Sequence, residues 1–357
     1  MSALSRLERL WLVNVVAFTA FAGVARYAGA PALLAFAAAT GALAGLAWVV
    51  SLATEQVGER FGPAATGVLQ SSVGNLPELF VVVFALQAHE IVVAQTAILG
   101  SIFANGLLVL GLVIVVGSWR APDRIMRFHP RLPQDTATLL ILTTFIIVLV
   151  SLPQLTGDPA GGHGTAISIV GAFCLLAVYV GWVVPYVRSE ERRARETAPG
   201  PSAGPRIALS VSLPLLVVAG MGSAFVSDWF VGALQPSLDR LHLSQAFAGI
   251  VIVAIAGNAV ENVAGIVLAA RGQSDLAISV VKNSVAQIAA FLFPVIVLVS
   301  LVLATTLTFA LAPIYVGALL LTVLALWQIT SDGEATTFEG LALIALYVVL
   351  ATVALYE

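Results

Sequence analysis

Apolar segments of membrane-spanning length follow one another along almost the whole chain, and this pattern limits the fold more than any single residue does. A helix needs about 20 mostly apolar residues to cross the hydrocarbon core of a bilayer. Eleven segments of the 357-residue sequence meet that requirement. They are residues 10–28, 31–53, 63–87, 91–117, 135–153, 165–187, 207–228, 244–270, 275–303, 305–328 and 338–356. Only 10% of the residues are charged, against roughly 25% in soluble domains. The sequence therefore predicts an all-α polytopic membrane protein with about eleven transmembrane helices.

The arginines predict how these helices are oriented. Thirteen of the fifteen lie in loops on the same side as the N-terminus, and the exceptions are Arg26 and Arg240. Cytoplasmic loops carry most of the basic residues of a membrane protein. We therefore expect a cytoplasmic N-terminus and, with an odd number of spans, a C-terminus outside. The first segment also resembles a secretory signal peptide, but its length and the span that follows at once favour a retained helix. The expected location is a bacterial inner (plasma) membrane.

Two copies of the motif Gly-Asn-x-x-Glu interrupt these apolar segments. Glu78 lies in "SSVGNLPELFVVV" and Glu261 in "AIAGNAVENVAGI", 183 residues further on. The next span carries a second polar cluster in each half. The clusters are "LGSIFAN", with Ser101 and Asn105, and "KNSVAQ", with Ser284 and Gln287. In both halves 23 residues separate the glutamate from the serine. The matched spacing indicates an internal repeat.

The predicted orientation makes this repeat an inverted one. The span with Glu78 starts on the cytoplasmic side and the span with Glu261 starts outside. Two inverted-topology repeats with broken helices and a site at the bilayer midplane are typical of secondary transporters. The expected organisation is an extra helix over residues 1–30, a first half over 31–187, a cytoplasmic linker over 188–206 and a second half over 207–357.

The polar residues of the two motifs offer oxygen ligands. Charged side chains inside a bilayer are costly and usually face a cavity or a partner. Calcium takes six to eight oxygen ligands, whereas the four histidines lie outside the span interiors and a single cysteine gives a soft metal little support. The candidate cation- and proton-binding residues are Glu78, Glu261, Asn75, Asn258, Ser101, Asn105, Ser284, Gln287, Gly74 and Gly257.

Helical spacing predicts how the first motif is arranged. On a continuous helix Ser71, Asn75 and Glu78 would form one polar stripe. Pro77 would break the helix because it lacks an N–H and clashes with the carbonyl four residues back. The second motif has no proline, so its break would depend on Gly257 alone.

The two carboxylates also suggest a coupling mechanism. With a divalent cation bound, both glutamates are ionised and neutralised by it. Without the cation, burial and mutual repulsion favour the protonated form. Metal and protons would then compete for one site. This competition predicts a secondary active antiporter that works by alternating access, with no cofactor beyond the transported ion itself.

Longer stretches around both motifs are similar to a known family. "ATEQVGERFGPAATGVLQSSVGNLPELFVVVFAL…LGSIFANGLLVLG" and "GNAVENVAGIVLAARGQSDLAISVV…QIAAFLFP" resemble the two conserved repeats of the cation/calcium exchanger superfamily, in its calcium/proton exchanger (CAX-type) branch. The resemblance implies an antiporter of eleven helices that exchanges calcium for protons. It implies that Glu78 and Glu261 are the essential carboxylates. The positions that match site-lining residues of the family are Asn75, Asn258, Ser101, Asn105 and Gln287.

Two departures from the family pattern keep other functions open. Asn262 stands where the family usually has histidine after the glutamate, and Lys282 precedes the second polar cluster. They leave a sodium or potassium/proton antiporter of the same fold as an alternative, and an intramembrane acid–base enzyme as a remote one. We expect Lys282 to extend toward the cytoplasmic face near Asp275 rather than to act in transport. Calcium, protons and lipid are the expected partners. Nucleic acid is not, and the oligomeric state is not indicated.

Overall fold

The protein is almost entirely helical. The computed structural model describes residues 5–58, 73–197 and 207–357. Its helices are α1 (Arg6–Tyr27), α2 (Ala32–Gly58), α3 (Leu76–Gln87), α4 (Ile91–Phe103), α5 (Leu110–Arg120), α6 (Arg131–Thr156), α7 (Gly164–Thr197), α8 (Leu209–Leu241), α9 (Gln245–Phe247), α10 (Ala254–Gly257), α11 (Ala259–Ala270), α12 (Ser274–Gln287), α13 (Phe293–Ser300), α14 (Pro313–Thr330) and α15 (Thr337–Leu355). Three π-helical segments, Ala104–Val109, Ala248–Val253 and Ile288–Leu292, join helices into longer runs, and a 3-10 turn covers Pro159–His163. Two short strands are β1 (Ile125–Arg127) and β2 (Glu334–Thr336).

The predicted membrane fold is confirmed. In the described part of the chain, nine helical runs are long and apolar enough to cross a bilayer, and a bent pair, Gln245–Gly257 with Glu261–Ala270, would make a tenth. The shorter apolar helix Leu76–Gln87 lies within the predicted span 63–87. The beginning of that span falls outside the described residues. The exact count of eleven stays a prediction.

Several span boundaries were wrong. The seventh span was expected to end at residue 228, but α8 continues to Leu241. Residues 188–197 of the predicted linker continue α7, because arginine and glutamate are good helix formers even outside lipid. The tenth span begins at Pro313 rather than at residue 305. Proline is favoured in the first turn of a helix, where its missing N–H has no intrahelical partner to lose.

The segment 301–312 between α13 and α14 is not helical, and serine side chains bind its backbone. Backbone N–H groups of Leu307, Phe309 and Leu311 donate to the hydroxyls of Ser300, Ser168 and Ser151 at 2.8, 3.1 and 3.0 Å. Irregular backbone at membrane depth is tolerated only where protein or water satisfies it. Hydropathy missed this segment because it is as apolar as the helices beside it.

The chain divides into two compact units. Unit 1 takes the described parts of residues 1–84 and 180–242, and unit 2 takes residues 85–179 and 243–357. Each unit thus draws on both predicted halves of the chain, whose boundaries stay a prediction. In unit 1, α1, α2 and α8 pack together. The rings of Phe36 on α2 and Phe230 on α8 lie 5.0 Å apart between their centroids.

In unit 2, α4 packs against the π segment Ala248–Val253, and α12 packs against α6 and α11. The antiparallel pair β1–β2 aligns Met126 with Ala335. Arg127, beside it, binds Asp123 at 2.7 Å and Glu334 at 3.0 Å. The hydrogen bond from Arg127 lowers the pKa of the exposed Asp123 carboxyl below its ordinary value.

Loop contacts in unit 2 agree with the predicted topology. The β1–β2 pairing joins two loops that were both expected on the cytoplasmic side. The backbone N–H of His129 donates at 2.7 Å to Asp275, in the first turn of α12, which is also expected on that side. His89 Nδ1 and Thr305 Oγ1, 2.8 Å apart, join two loops expected on the other side. If the predicted number of spans between two such partners were wrong by one, the partners would lie on opposite sides of the membrane.

Candidate functional site

Both Gly-Asn-x-x-Glu motifs stand at the start of a helix. Gly74 and Asn75 form a turn before α3. Asn258 has non-helical dihedral angles, φ −106° and ψ 15°, between α10 and α11. Glu78 and Glu261 are therefore each the third residue of a helix. The first turn of a helix has N–H groups without intrahelical partners and carries partial positive charge. Each carboxylate lies where an anion is stabilised.

These breaks differ in origin from the predicted ones. Pro77 is the second residue of α3, so it interrupts no helix interior and clashes with no preceding turn. The second motif has no proline, yet the helix axes before Gly257 and after Glu261 differ by 62°. The Gly-Asn pair is thus the feature that both breaks share. The expected continuous polar stripe is wrong for Asn75 and Glu78, and Ser71 lies outside the described residues.

Unit 2 brings five of the predicted site residues into two hydrogen-bonded groups. The Ser284 hydroxyl donates to Glu261 Oε2 at 2.7 Å. Asn258 Nδ2 donates to Ser101 Oγ at 3.0 Å. Asn105 Nδ2 donates to the Ser101 carbonyl at 2.9 Å. Asn258 directly precedes α11, and Glu261 lies three residues later in its first turn. The two hydrogen-bonded groups are therefore adjacent. Gln287 is half-buried and lies three residues after Ser284 on α12.

The amide groups in this cluster leave their oxygens available. The side-chain nitrogens of Asn105 and Asn258 are used as donors, whereas their Oδ1 atoms are buried and have no hydrogen-bond partner within the described part of the chain. The Oδ1 atom of Asn262 is also buried and has no hydrogen-bond partner among the described residues. Buried acceptors nearly always have a partner in native structures. Carboxylate and amide oxygens of this kind are ligands that calcium prefers.

Unit 1 contains the first motif. Glu78 is 2% exposed and Asn75 is 7% exposed. The Asn75 carbonyl accepts the N–H of Leu79 at 2.9 Å and so begins α3. Among the described residues, the side-chain nitrogen of Asn75 has no acceptor. The Ser227 hydroxyl donates to the Pro77 carbonyl at 3.5 Å. Gly74 is half-buried in the turn.

A close backbone crossing holds Ser101 against Asn258. A Cβ atom placed on Gly100 would lie 2.5 Å from the Cα of Ile250 and 2.8 Å from the Gly249 carbonyl oxygen. Only glycine permits α4 to approach the π segment Ala248–Val253 this closely. The next residue, Ser101, therefore reaches Asn258. The motif "LGSIFAN" contains this glycine, but no local pattern indicates that Ile250 is its partner.

The three π-helical segments adjoin candidate residues. Ala104–Val109 contains Asn105, Ile288–Leu292 begins directly after Gln287, and Ala248–Val253 ends four residues before Gly257. Such segments are rare and often lie at functional sites. They were not predicted, because no local residue pattern distinguishes a π-helical turn from the α-helix around it.

Lys282 does not extend to the membrane surface as expected. Its side chain is fully buried, and Nζ donates to the Thr330 hydroxyl at 3.3 Å. Asp275, its expected partner, instead accepts the backbone N–H of His129. Thr330 is 48 residues away in sequence at the end of α14. A tertiary contact of that range cannot be recognised from local spacing.

We expect the substitution Lys282→Met to be tolerated. Methionine fills a similar volume, and the Thr330 hydroxyl already donates to the Leu326 carbonyl at 2.6 Å, so no buried polar group loses its only partner. An uncompensated charge is costly to bury, so an apolar side chain at this position should be neutral or stabilising. The melting temperature in detergent should stay equal or rise, and ion flux in liposomes should stay within about twofold. A folded variant without flux would give Lys282 a role in transport.

Comparison with known proteins identifies the family. The sequence model of the sodium/calcium exchanger protein family matches residues 31–186 and 211–356. The chain belongs to this family. The predicted membership of the calcium/proton exchanger branch of the cation/calcium exchanger superfamily is confirmed. Because this is a family of membrane exchangers, the chain is a transporter and not an enzyme.

Two curated relatives and one solved structure illustrate the match. A vacuolar calcium ion transporter from Schizosaccharomyces pombe is 31% identical over 85% of this chain and 75% of its own length. A Ca²⁺/H⁺ antiporter from Synechocystis sp. is 29% identical over 98% of this chain and 97% of its own length. The structure of native YfkE has a TM-score of 0.81 at 25% identity, and the match covers 97% of this chain and 100% of that one.

Proposed function

We propose that this protein is a secondary active antiporter that exchanges calcium for protons. The observation that carries the proposal is the cluster around the half-buried Glu261. Its carboxylate, which Ser284 orients, and the buried Oδ1 atoms of Asn105 and Asn258, which have no hydrogen-bond partner in the described part of the chain, offer ligands for a hard cation. The names of the relatives, one a calcium ion transporter and one a Ca²⁺/H⁺ antiporter, support the same substrates.

Glu78 and Glu261 are proposed to bind the cation and the protons in competition. Each is the third residue of a helix that follows a Gly-Asn turn. The positive end of its helix therefore stabilises each glutamate in the ionised form, whichever cation the protein exchanges for protons. A bound divalent cation keeps both carboxylates ionised, and its departure favours their protonation because an isolated buried charge is costly. Two carboxylates suit an exchange of one calcium for about two protons.

Asn75, Asn258, Ser101, Asn105, Ser284 and Gln287 are proposed to complete the ligand set. The Ser284 hydroxyl orients Glu261, and Ser101 orients Asn258. Gly74 and Gly257 allow the chain to turn before each glutamate. The match of the family model to two stretches supports the two inverted repeats, and such repeats suit transport by alternating access.

The proposed location is a bacterial inner membrane, with the N-terminus in the cytoplasm. The excess of arginine on one side supports this orientation. With protons driving the exchange inward, calcium would leave the cytoplasm.

Ion flux in reconstituted liposomes tests the proposal. Liposomes with an acidic interior and a pH-sensitive dye are supplied with calcium, sodium or potassium on the outside. We expect calcium to release protons from the interior, and sodium and potassium to release few or none. Because protons compete with the cation, the half-saturating calcium concentration should rise as the outside pH falls.

The same experiment separates the alternatives. Asn262 and Lys282 favour a sodium or potassium/proton antiporter, because the second half of the site has lost a titratable neighbour and gained a buried amine. Proton release by sodium or potassium without any release by calcium would overturn the calcium assignment and leave the exchanger fold intact. Empty liposomes treated in the same way provide the baseline.

A further inference from the structure

Unit 1 contains an apolar cavity that none of the motif residues lines. It measures about 580 Å³ and lies between α1, α2 and α8. Among its lining residues are Leu12, Val15, Leu46 and Val49. Pockets of this volume commonly hold small molecules. All three helices are long and apolar enough to cross a bilayer. The medium around this cavity is therefore lipid.

The cavity opens toward the outer surface of α1. Val16 and Val24, which line it, are 67% and 64% exposed. From Leu12 to Tyr27 the lined part of α1 is roughly 22 Å long at 1.5 Å per residue. One leaflet contributes about half of the 30 Å hydrocarbon thickness. An acyl chain of a membrane lipid thus fits along the cavity.

Two polar atoms inside the cavity have no partner within the described part of the chain. They are the Thr19 hydroxyl oxygen and the indole Nε1 of Trp229. Both atoms are buried. An indole N–H only donates, and a hydroxyl donates as well as accepts. An ester carbonyl is an acceptor that both could use. A purely hydrocarbon occupant would leave both groups unsatisfied at a cost.

Charged and aromatic groups meet at the end of the cavity that Tyr27 lines. The Tyr27 and Trp229 rings pack edge to face, with 5.9 Å between their centroids. The Arg26 guanidinium lies over Gly232, one turn beyond Trp229; a Cβ on that glycine would be 3.4 Å from Nη2. Asp228 is exposed one turn before Gly232. Tyrosine and tryptophan favour the headgroup level of a membrane, and arginine binds phosphate well.

We propose that this cavity binds one glycerophospholipid. The phosphate binds Arg26, an ester carbonyl accepts hydrogen bonds from Trp229 and Thr19, and one acyl chain lies between α1 and the pair α2–α8. Arg26 and Asp228 carry one charge of each sign, which suits a zwitterionic headgroup. The lipid would join α1 to the rest of unit 1 and serve as a bound structural component, separate from the exchanged ions.

Native mass spectrometry of the purified full-length protein with added phosphatidylethanolamine tests this proposal. We expect the wild-type protein to keep one phospholipid at detergent concentrations that strip the others. The triple variant Thr19→Val, Trp229→Phe, Arg26→Gln should lower that occupancy at least tenfold, with calcium flux retained. Arg240→Gln removes the other arginine expected on that membrane side. It lies on α8 beyond Trp229, and its removal should leave occupancy unchanged.

Two further measurements guard against a trivial result. If the triple variant does not fold, the single variants Arg26→Gln and Trp229→Phe replace it, each expected to lower occupancy severalfold. Diacylglycerol, which has the same chains and esters but no phosphate, should bind at least tenfold more weakly than phosphatidylethanolamine. Equal binding of diacylglycerol, or equal occupancy in the folded variants and wild type, would overturn the proposal. If the wild-type protein showed no calcium flux, the proposed transport function would be contradicted and the lipid proposal would be unaffected.

Discussion

Glutamine in place of either Glu78 or Glu261 is expected to lower the initial rate of calcium/proton exchange at least about a hundredfold. Truncating one partner of a buried charge pair commonly costs about 2–5 kcal/mol of binding free energy, and each 1.4 kcal/mol is a factor of about ten. Glutamine keeps the size of the side chain and can still accept the Ser284 hydroxyl at position 261. The loss would therefore come from the missing charge and exchangeable proton, and not from altered packing.

The measurement is proton release from liposomes on addition of calcium, with each variant checked for an unchanged melting temperature. Glu334→Gln is the matched control: it changes a carboxylate that is 51% exposed and paired with Arg127 on the surface. Exposed ion pairs contribute little, so this variant should transport at the wild-type rate. If both Glu78→Gln and Glu261→Gln exchanged calcium normally, the site would have to lie elsewhere.

The sequence predicted the membrane fold, most span positions and the two motifs, because hydropathy and intramembrane charge are properties of short segments. Residues 91–117 were expected to cross the membrane, and a helical run covers Ile91–Arg120. The two helix breaks were predicted at the motifs but attributed to Pro77 and to Gly257 alone, whereas the Gly-Asn pair is what both breaks share, for a local reason. Glycine and asparagine tolerate turns and open a following helix well.

What the sequence could not predict depends on partners far along the chain. The buried position of Lys282 follows from Thr330, 48 residues away. The irregular segment 301–312 exists because serines on α6 and α7 bind its backbone. Hydropathy cannot separate such a segment from a helix of equal apolarity. Which oxygens of Asn105 and Asn258 stay available likewise follows from tertiary contacts with Ser101.

The substitution Gly100→Ala is expected to disrupt unit 2 despite adding a single carbon. The new Cβ would lie 2.5 Å from the Cα of Ile250 and 2.9 Å from its carbonyl oxygen, whereas carbon atoms pack best at about 3.5–4.0 Å. Both contacts are with backbone, so no side-chain rotation relieves them. Overpacking costs roughly 1–3 kcal/mol even where side chains can move. We expect about 3 kcal/mol here, and a melting temperature lower by roughly 6–12 °C.

Transport should fall further than stability alone would require. Separating α4 from the π segment Ala248–Val253 moves Ser101 away from Asn258, whose hydrogen bond of 3.0 Å orients one of the proposed ligands. Gly317→Ala is the matched control, since a Cβ at that position on α14 meets no atom within 4 Å. Alanine there should raise helix stability by up to about 1 kcal/mol and leave flux unchanged. Equal melting temperatures and equal flux for the two alanine variants would show that α4 and the π segment have room for a Cβ between them and that this crossing does not position the site.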